Sequence, residues 1–483
     1  MKAPLSPFNP LRPARFAGAT RALAALGVTL TLLLVSCGGG GGSGAGSAGG
    51  ANPSAPNPGN PGSVNISVRG TATGLDDSGL VLQLNGANDL SVGKGSTTYA
   101  FSVVAPTGTA YAVTVKSQPK SLDCSVAGGT GVVASADVVI AVTCTRLSLF
   151  AYVANGFGNN ISAFRVDPST GALTTVSAPI AADSIPYDMV VDPSGRNLYV
   201  INSSALKESV QPLRINPSTG VLTTVSAPVT TGAGATGIAI DPSGRYAYAT
   251  NFSDDNISVY SVNPTTGALT VAGSKIPSGS RPGSIVFEPT GRFAYVANAN
   301  GSNLDAFSLN PSTGALTTVS SAIGTGDFPF SLAMEPSGRF LYVSNNGSNE
   351  VSAYSINAST GVLTAVGAVP AGQGPTGIAV DPSGRFLYTV NDTSNDVSVY
   401  SIDSSTGVLS NLATVATGGL NAKTLAMDPT GRFLFVPNQS SANISGFSIN
   451  ASTGALTALT GSPFIFGTAN ASYFGIGLVY GRP

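Results

Sequence analysis

A short phrase, Asp/Glu-Pro-Ser/Thr-Gly-Arg, returns six times along this chain, with its glycine at Gly195, Gly244, Gly291, Gly338, Gly384 and Gly431. The spacing is 46 to 49 residues. A second phrase, (Ser/Thr)-Thr-Gly-(Ala/Val)-Leu, occurs seven times, at Gly171, Gly220, Gly267, Gly314, Gly361, Gly407 and Gly454. Between them runs a third, as in LYVSNNGSNEVSAYSIN at 341–357. Self-similarity at this period restricts the chain to repeat architectures. Each unit reads as four strands. The first is like GIAI at 237–240. Asp-Pro-Ser-Gly then suits a type I turn, with Pro at its second position and Gly at its fourth. A second strand like Phe340–Val343 leads through an Asn-rich loop to a third like Glu350–Ile356. Ser-Thr-Gly turns the chain into the fourth, the glycine suiting a positive φ. Four strands in about 47 residues is the β-propeller pattern, which predicts an all-β, seven-bladed ring over residues 147–483.

The two ends of the repeat array do not match. The first unit begins at LFAYVANGFGNNISAF (149–164) with its second strand. The missing first strand is supplied by Phe474-Gly475-Ile476-Gly477-Leu478-Val479 at the C-terminus. Pairing these segments closes the ring and leaves only short, protected strand edges, so a monomer is expected.

Composition narrows the chemistry. The 483-residue chain has no histidine, which removes Ser-His-Asp triads, Cys-His dyads and HExxH zinc sites. A net charge of −1 argues against a nucleic-acid partner. Acids in the loops after the second strands (Asp254, Asp255, Asp392, Asp396) lack the spacing of an EF-hand, and neither a metal nor a cofactor is expected.

Residues 1–36 read as an export signal: Lys2, Arg12, Arg15 and Arg21 precede an apolar run from Leu23 to Val35, shorter than the ~20 residues of a membrane-spanning helix. The run ends in Leu34-Val35-Ser36-Cys37, which resembles the bacterial lipobox. That resemblance implies cleavage before Cys37, lipidation of its thiol and a membrane partner through the anchor. Gly38 in place of Asp implies the outer membrane in a Gram-negative cell, facing the periplasm or the surface. Residues 37–63, the anchor cysteine and a stretch rich in Gly, Ser and Pro, form a tether spanning roughly 25–30 Å. With Cys37 lipidated, Cys124 and Cys144 remain, and an oxidising compartment pairs them.

Residues 64–146 predict a small β domain, with strands at 64–68, 80–84, 98–103, 111–117 and 138–144. Size and strand spacing suit an immunoglobulin-like sandwich. The stretch resembles a disulfide-bearing module that follows the anchor in proteobacterial lipoproteins, and reads as a spacer.

The repeats carry P-x-x-I-A-x-D-P-S-G-R-F-L-Y-V-x-N and S-x-Y-x-I-N-x-S-T-G-x-L-T, with Gly461-Ser462-Pro463-Phe464 near the end. In these phrases the chain resembles the seven-bladed lactonase propellers, the family of 6-phosphogluconolactonase and fungal carboxy-muconate cyclase, and overlaps the YVTN repeats of microbial surface proteins. The resemblance implies a propeller and, more weakly, lactone hydrolysis. The muconate-type enzymes use a histidine that this chain lacks, and the phosphogluconate enzyme works in the cytosol.

Positions that break the repeat locate a candidate mouth. Five residues before each turn acid stand Tyr187, Thr236, Gly283, Phe330, Thr376 and Lys423, with Phe474 in the closing strand. Two residues earlier stand Ile185, Gly234, Arg281, Phe328, Gly374, Asn421 and Ser472. Asp188 replaces a Gly, Ser or Thr, and Asp327 adjoins Phe328. Arg281 and Lys423 suit a carboxylate or lactone oxyanion, and the aromatics suit a sugar face. The seven asparagines after the second strands read as structural side chains that bond loop backbone, and the six repeated arginines as structural residues pairing with acids or carbonyls between hairpins. The expected role is a binding or scaffolding module for a small lactone or sugar ligand or an envelope protein. A lactone hydrolase and a structural or adhesive surface protein are the alternatives.

Overall fold

The computed structural model describes residues 65–204, 207–465 and 473–482. The segments expected to form an export signal and a tether, with Cys37, lie outside the described residues. Among the described residues there is no helix.

Residues 65–146 form two four-stranded sheets. The strands are β1 (Asn65–Thr73), β2 (Leu80–Leu84), β3 (Asn88–Val92), β4 (Thr98–Pro106), β5 (Ala110–Ser117), β6 (Leu122–Ala127), β7 (Thr130–Val132) and β8 (Val138–Arg146). The sheet orders are β4-β1-β8-β6 and β3-β2-β5-β7, with β1 and β8 parallel. β3, β6 and β7 go beyond the strands read from sequence. NDLSV and TGV carry turn-forming residues, so their pairing depends on a partner strand and not on propensity. Alternate residues of β8 (Val138, Ile140, Val142, Cys144) face one core with Leu80, Leu82 and Leu122. Cys124 and Cys144 are directly opposed across β6 and β8 and form a disulfide.

The described residues of the remaining chain form seven antiparallel sheets of four or five strands. Their innermost strands are Pro186–Val191, Ala235–Ile240, Pro282–Phe287, Pro329–Met334, Pro375–Val380, Ala426–Met427 and, for the first blade, the C-terminal Tyr473–Tyr480. Tyr473–Tyr480 pairs with Leu149–Asn155, so the ring closes as the repeat register requires.

The second strands, such as FLYVSN at 340–345, are buried on both faces because each face of the sheet meets a neighbouring blade; only Ser203 and Ser204 at the end of the blade-two strand are half-buried. The core is therefore a set of layers between blades. One layer joins Phe150 and Tyr152 to Leu198 and Leu213; another joins Leu149 and Phe164 to Phe433 and Ile444 across the closure.

Repeated polar residues stitch these layers. In the turn phrase the acid caps its own hairpin: Asp241 Oδ1 accepts from the backbone N–H of Arg245 at 2.9 Å and of Tyr246 at 2.7 Å, while Gly244 sits at φ +73°. The arginine reaches the next blade. Arg292 donates to the Ala358 carbonyl at 2.7 Å and Arg339 to the Ser404 carbonyl at 2.8 Å, each lying over the following phenylalanine. A tyrosine in the second strand donates to the turn glycine of the next blade, as in Tyr152 to Gly220, Tyr199 to Gly267 and Tyr388 to Gly454, each at 2.9 Å. Blade seven has Phe435 at this register. At its seam to blade one the repeated arginine, Arg432, donates to the Pro168 carbonyl at 2.7 Å and additionally to the Tyr480 hydroxyl at 3.1 Å.

The recurring asparagines are structural, but not chiefly through loop backbone. Asn155, Asn251 and Asn438 donate to side chains five and seven residues on, across the loop between second and third strands. Asn251 also accepts from the Gly232 N–H.

The two parts are joined at the chain end. Arg482, just past the closing strand, donates to the carbonyls of Pro119 at 2.5 Å and Lys120 at 3.1 Å, and the Leu147 N–H donates to Ser121.

Candidate functional site

The innermost strands surround the ring axis and crowd one another. A Cβ on Gly237 would lie 2.4 Å from the Gly283 carbonyl oxygen, and one on Gly377 would lie 2.7 Å from the Thr424 Cα. Small residues at this level are thus a packing requirement. Where the strands begin, at the end that carries the loops between second and third strands, the axis opens into a cavity of about 100 Å³. This is well under the ~300–1,000 Å³ of drug-sized ligand sites. Blade two contributes Tyr187 and Asp188, blade three Thr236 and Gly237, and blade four Gly283 and Ser284. Phe330 and Ser331 come from blade five, Gly377 from blade six, and Lys423 and Thr424 from blade seven.

Asp188 is the departure with the largest consequence. It occupies the level held elsewhere by Gly237, Ser284, Ser331, Gly377, Thr424 and Gly475, and it puts a carboxylate against the backbone of the next blade. Its Oδ2 accepts from the Ile238 N–H at 3.2 Å. Loss of water around it pushes its pKa up to about 6, against the opposing pull of the Met189 and Ile238 N–H groups. No cation contributes to that balance. Burial, and then the neighbouring Asp188, hold the Tyr187 phenol above its ordinary value.

Lys423 reaches the same cavity, yet its ammonium is engaged. Nζ forms an ion pair with Asp392 in blade six, the two side chains being 30% and 13% exposed. The short pairing Ala426–Met427 and a bridge from Ala422 to Asn438 replace the longer innermost strand of other blades, which leaves Lys423 and Thr424 outside regular pairing.

Four of the eight mouth residues named from sequence meet in the cavity: Tyr187, Asp188, Phe330 and Lys423. Arg281, Asp327 and Phe328 do not line it. Arg281 and Phe328 have φ of +59° and +54°, at a level where Gly234 and Gly374 have +68°. The Arg281 backbone N–H donates to Asp255 at 2.7 Å, and its guanidinium lies 5.4 Å from the centre of the Phe252 ring. The equivalent glycine, Gly374, donates to Asn349 at 2.7 Å in the same way, so a left-handed turn anchored to the preceding blade is part of the fold here. Asp327 is exposed, its N–H bonded to Ser348. The side chain of Phe474 is not among those described. Sequence reasoning did not pair Lys423 with Asp392, although both had been singled out. The signal available was that each breaks the repeat in adjacent blades. Among the described residues, no group of three or more Cys, Asp or Glu is placed to hold a metal ion.

Comparison with known proteins places this geometry. The family model described as "Lactonase, 7-bladed beta-propeller" matches residues 117–236, 225–328, 328–418 and 377–467. Among solved structures, a candidate 6-phosphogluconolactonase from Bacteroides uniformis is 21% identical, with a TM-score of 0.63, over 69% of this chain and 100% of that one. The Pseudomonas aeruginosa periplasmic gluconolactonase PpgL is 20% identical, with a TM-score of 0.60, over 70% of this chain and 100% of that one. At these identities the likeness is one of fold. No curated protein sequence matches this chain significantly. With its repeats, its closed ring and a family match across most of its length, the chain belongs to the seven-bladed lactonase β-propeller family.

Proposed function

We propose that this chain is an exported, lipid-anchored envelope protein whose axial cavity hydrolyses a small extracytoplasmic lactone. The observation that carries the reading is Asp188, a carboxylate at a level of the ring otherwise restricted to Gly, Ser and Thr, with a pKa raised to about 6. A group with that value is mostly ionised at pH 7 and still basic enough to take a proton from water. In the reaction, water attacks the lactone carbonyl as Asp188 accepts its proton. The acyl–oxygen bond then breaks, the ring oxygen leaves with a proton, and a hydroxy acid is released. Lys423 lines the same cavity from blade seven with its ammonium paired to Asp392, so the chemistry assigned here rests on Asp188. Family membership and the lactonase names of the two structural relatives support the reaction class.

Binding without turnover is the second reading. It is favoured by the Lys423–Asp392 pair, which presents a neutralised cation to the cavity.

The test is initial-rate hydrolysis of a lactone panel by wild type and Asp188→Asn. Turnover should fall about 100-fold or more, the usual scale for a general base, with KM little changed. Retained turnover in the variant refutes the assignment. Palmitate labelling that Cys37→Ala abolishes is the expected result for the anchor, and labelling that survives refutes it.

A further inference from the structure

We infer that the axial cavity selects an uncharged, hydroxyl-bearing lactone and rejects the phosphorylated or carboxylated counterpart. This rests on the ligand site proposed above and specifies its substrate class.

The argument is one of charge placement. An anionic ligand needs cations or convergent N–H groups, the usual sources being Arg or Lys side chains, helix N-termini and backbone nests. The described residues include no helix. Among the described residues, the one cation lining the cavity is Lys423, and its ammonium is engaged by Asp392. Arg281 is the nearest in sequence pattern to a second cation, but its guanidinium lies over Phe252 and it does not line the cavity. Two further lysines of the same loop end are also committed, Lys275 to Asp254 at 3.0 Å and Lys207 to Asp183. With the lysine pair close to neutral, the charge left facing the cavity is the Asp188 carboxylate. A phosphate or carboxylate entering this small space gains no unengaged cation and meets a like charge where water screening is weak.

A neutral sugar lactone meets the opposite situation. Thr236, Ser284, Ser331 and Thr424 line the cavity, and a hydroxyl can both donate and accept; the Thr236 hydroxyl donates to the Pro282 and Gly283 carbonyls at 3.3 Å and keeps its lone pairs to accept. The Phe330 ring gives an apolar face for sugar C–H groups. Asp188 accepts from a ligand hydroxyl or from the attacking water. The cavity volume of about 100 Å³ is small and suits a single small ring.

The experiment uses the full chain in detergent with two probe pairs. Hydrolysis is followed for glucono-1,5-lactone and its 6-phosphate. Binding is followed calorimetrically for the inert ring 1,5-anhydroglucitol and its 6-phosphate. The neutral member should bind at least tenfold more tightly in the inert pair. Asp392→Asn, which releases Lys423, should tighten binding of the phosphorylated probe at least tenfold. Selective binding of the neutral ring without turnover of either lactone would support the cavity's selectivity while refuting the hydrolase reading. Equal or tighter binding of the phosphorylated probe by wild type overturns the inference and leaves hydrolysis standing if both lactones turn over. Absence of binding by both inert probes overturns it as well.

Discussion

Replacing Asp188 by Asn tests the axial site through stability, independently of any substrate. In the folded protein the carboxyl has a pKa raised to about 6, against roughly 3.9 in an unfolded chain. Between these values the folded state binds more protons than the unfolded one. Stability therefore falls as pH rises through this window and levels off above it. The gap of about 2 pH units is worth about 3 kcal/mol at ~1.36 kcal/mol per unit. Asn cannot ionise, so Asp188→Asn should stabilise the protein by up to about 3 kcal/mol at pH 8, less any loss in the bond from the Ile238 N–H. At pH 4 and below, where the native carboxyl is itself protonated, the gain should approach zero. With an unfolding entropy near ~2.1 cal/mol/K per residue over residues 147–483, the gain corresponds to about 4 °C in Tm. The assay is thermal unfolding of both proteins from pH 4 to pH 8. A Tm difference that does not change with pH, or a variant less stable than wild type at pH 8, would show that Asp188 is not held in a desolvated, cation-free position.

Further predictions concern the seams. Phe435→Tyr should supply the interblade hydrogen bond that the seventh blade lacks, to the Gly171 carbonyl, and raise stability by about 1 kcal/mol in chemical denaturation; a loss would mean the closing seam has no room for the hydroxyl. Arg482→Ala removes the donor to the Pro119 and Lys120 carbonyls and should speed proteolytic cleavage near residue 120 while leaving propeller melting nearly unchanged; unchanged cleavage would show that the arginine does not hold the two parts together. Deleting residues 473–483 removes the strand paired with Leu149–Asn155 and should unfold or oligomerise the ring, and a monomer with wild-type melting would contradict closure. Reducing Cys124–Cys144, which closes a 20-residue separation, should destabilise the small β region by about 3 kcal/mol, read as a shift in its denaturation midpoint; no shift would mean that the cross-strand pairing alone holds β6 to β8.

The propeller was legible because its instructions are local and repeated. Asp-Pro-Ser-Gly-Arg prescribes a turn, and its acid does cap that turn within five residues. The missing first strand of the array and the spare strand at Phe474–Val479 pointed to each other without any knowledge of distance. The site was legible only in part. Tyr187, Asp188, Phe330 and Lys423 broke the repeat and do share a cavity. Arg281 and Phe328 broke it equally plainly, yet sit on a left-handed turn outside the cavity lining. Departure from a repeat identifies a residue released from the packing rule, but not the direction in which its side chain leaves the backbone. The small β region was harder, because strands such as NDLSV carry little propensity and exist through their partners.

Residue order alone thus determined the number of blades, the hairpins within them and the closure of the ring, since turn chemistry and strand alternation act over a few residues and recur. Only the tertiary structure decided the electrostatics at the axis. Asp188 meets the Ile238 N–H, 50 positions away, and Lys423 meets Asp392, 31 positions away, in each case across a blade boundary. Which charge remains uncompensated depends on distances between blades and on how much water those blades exclude. Both quantities come into being when the ring closes.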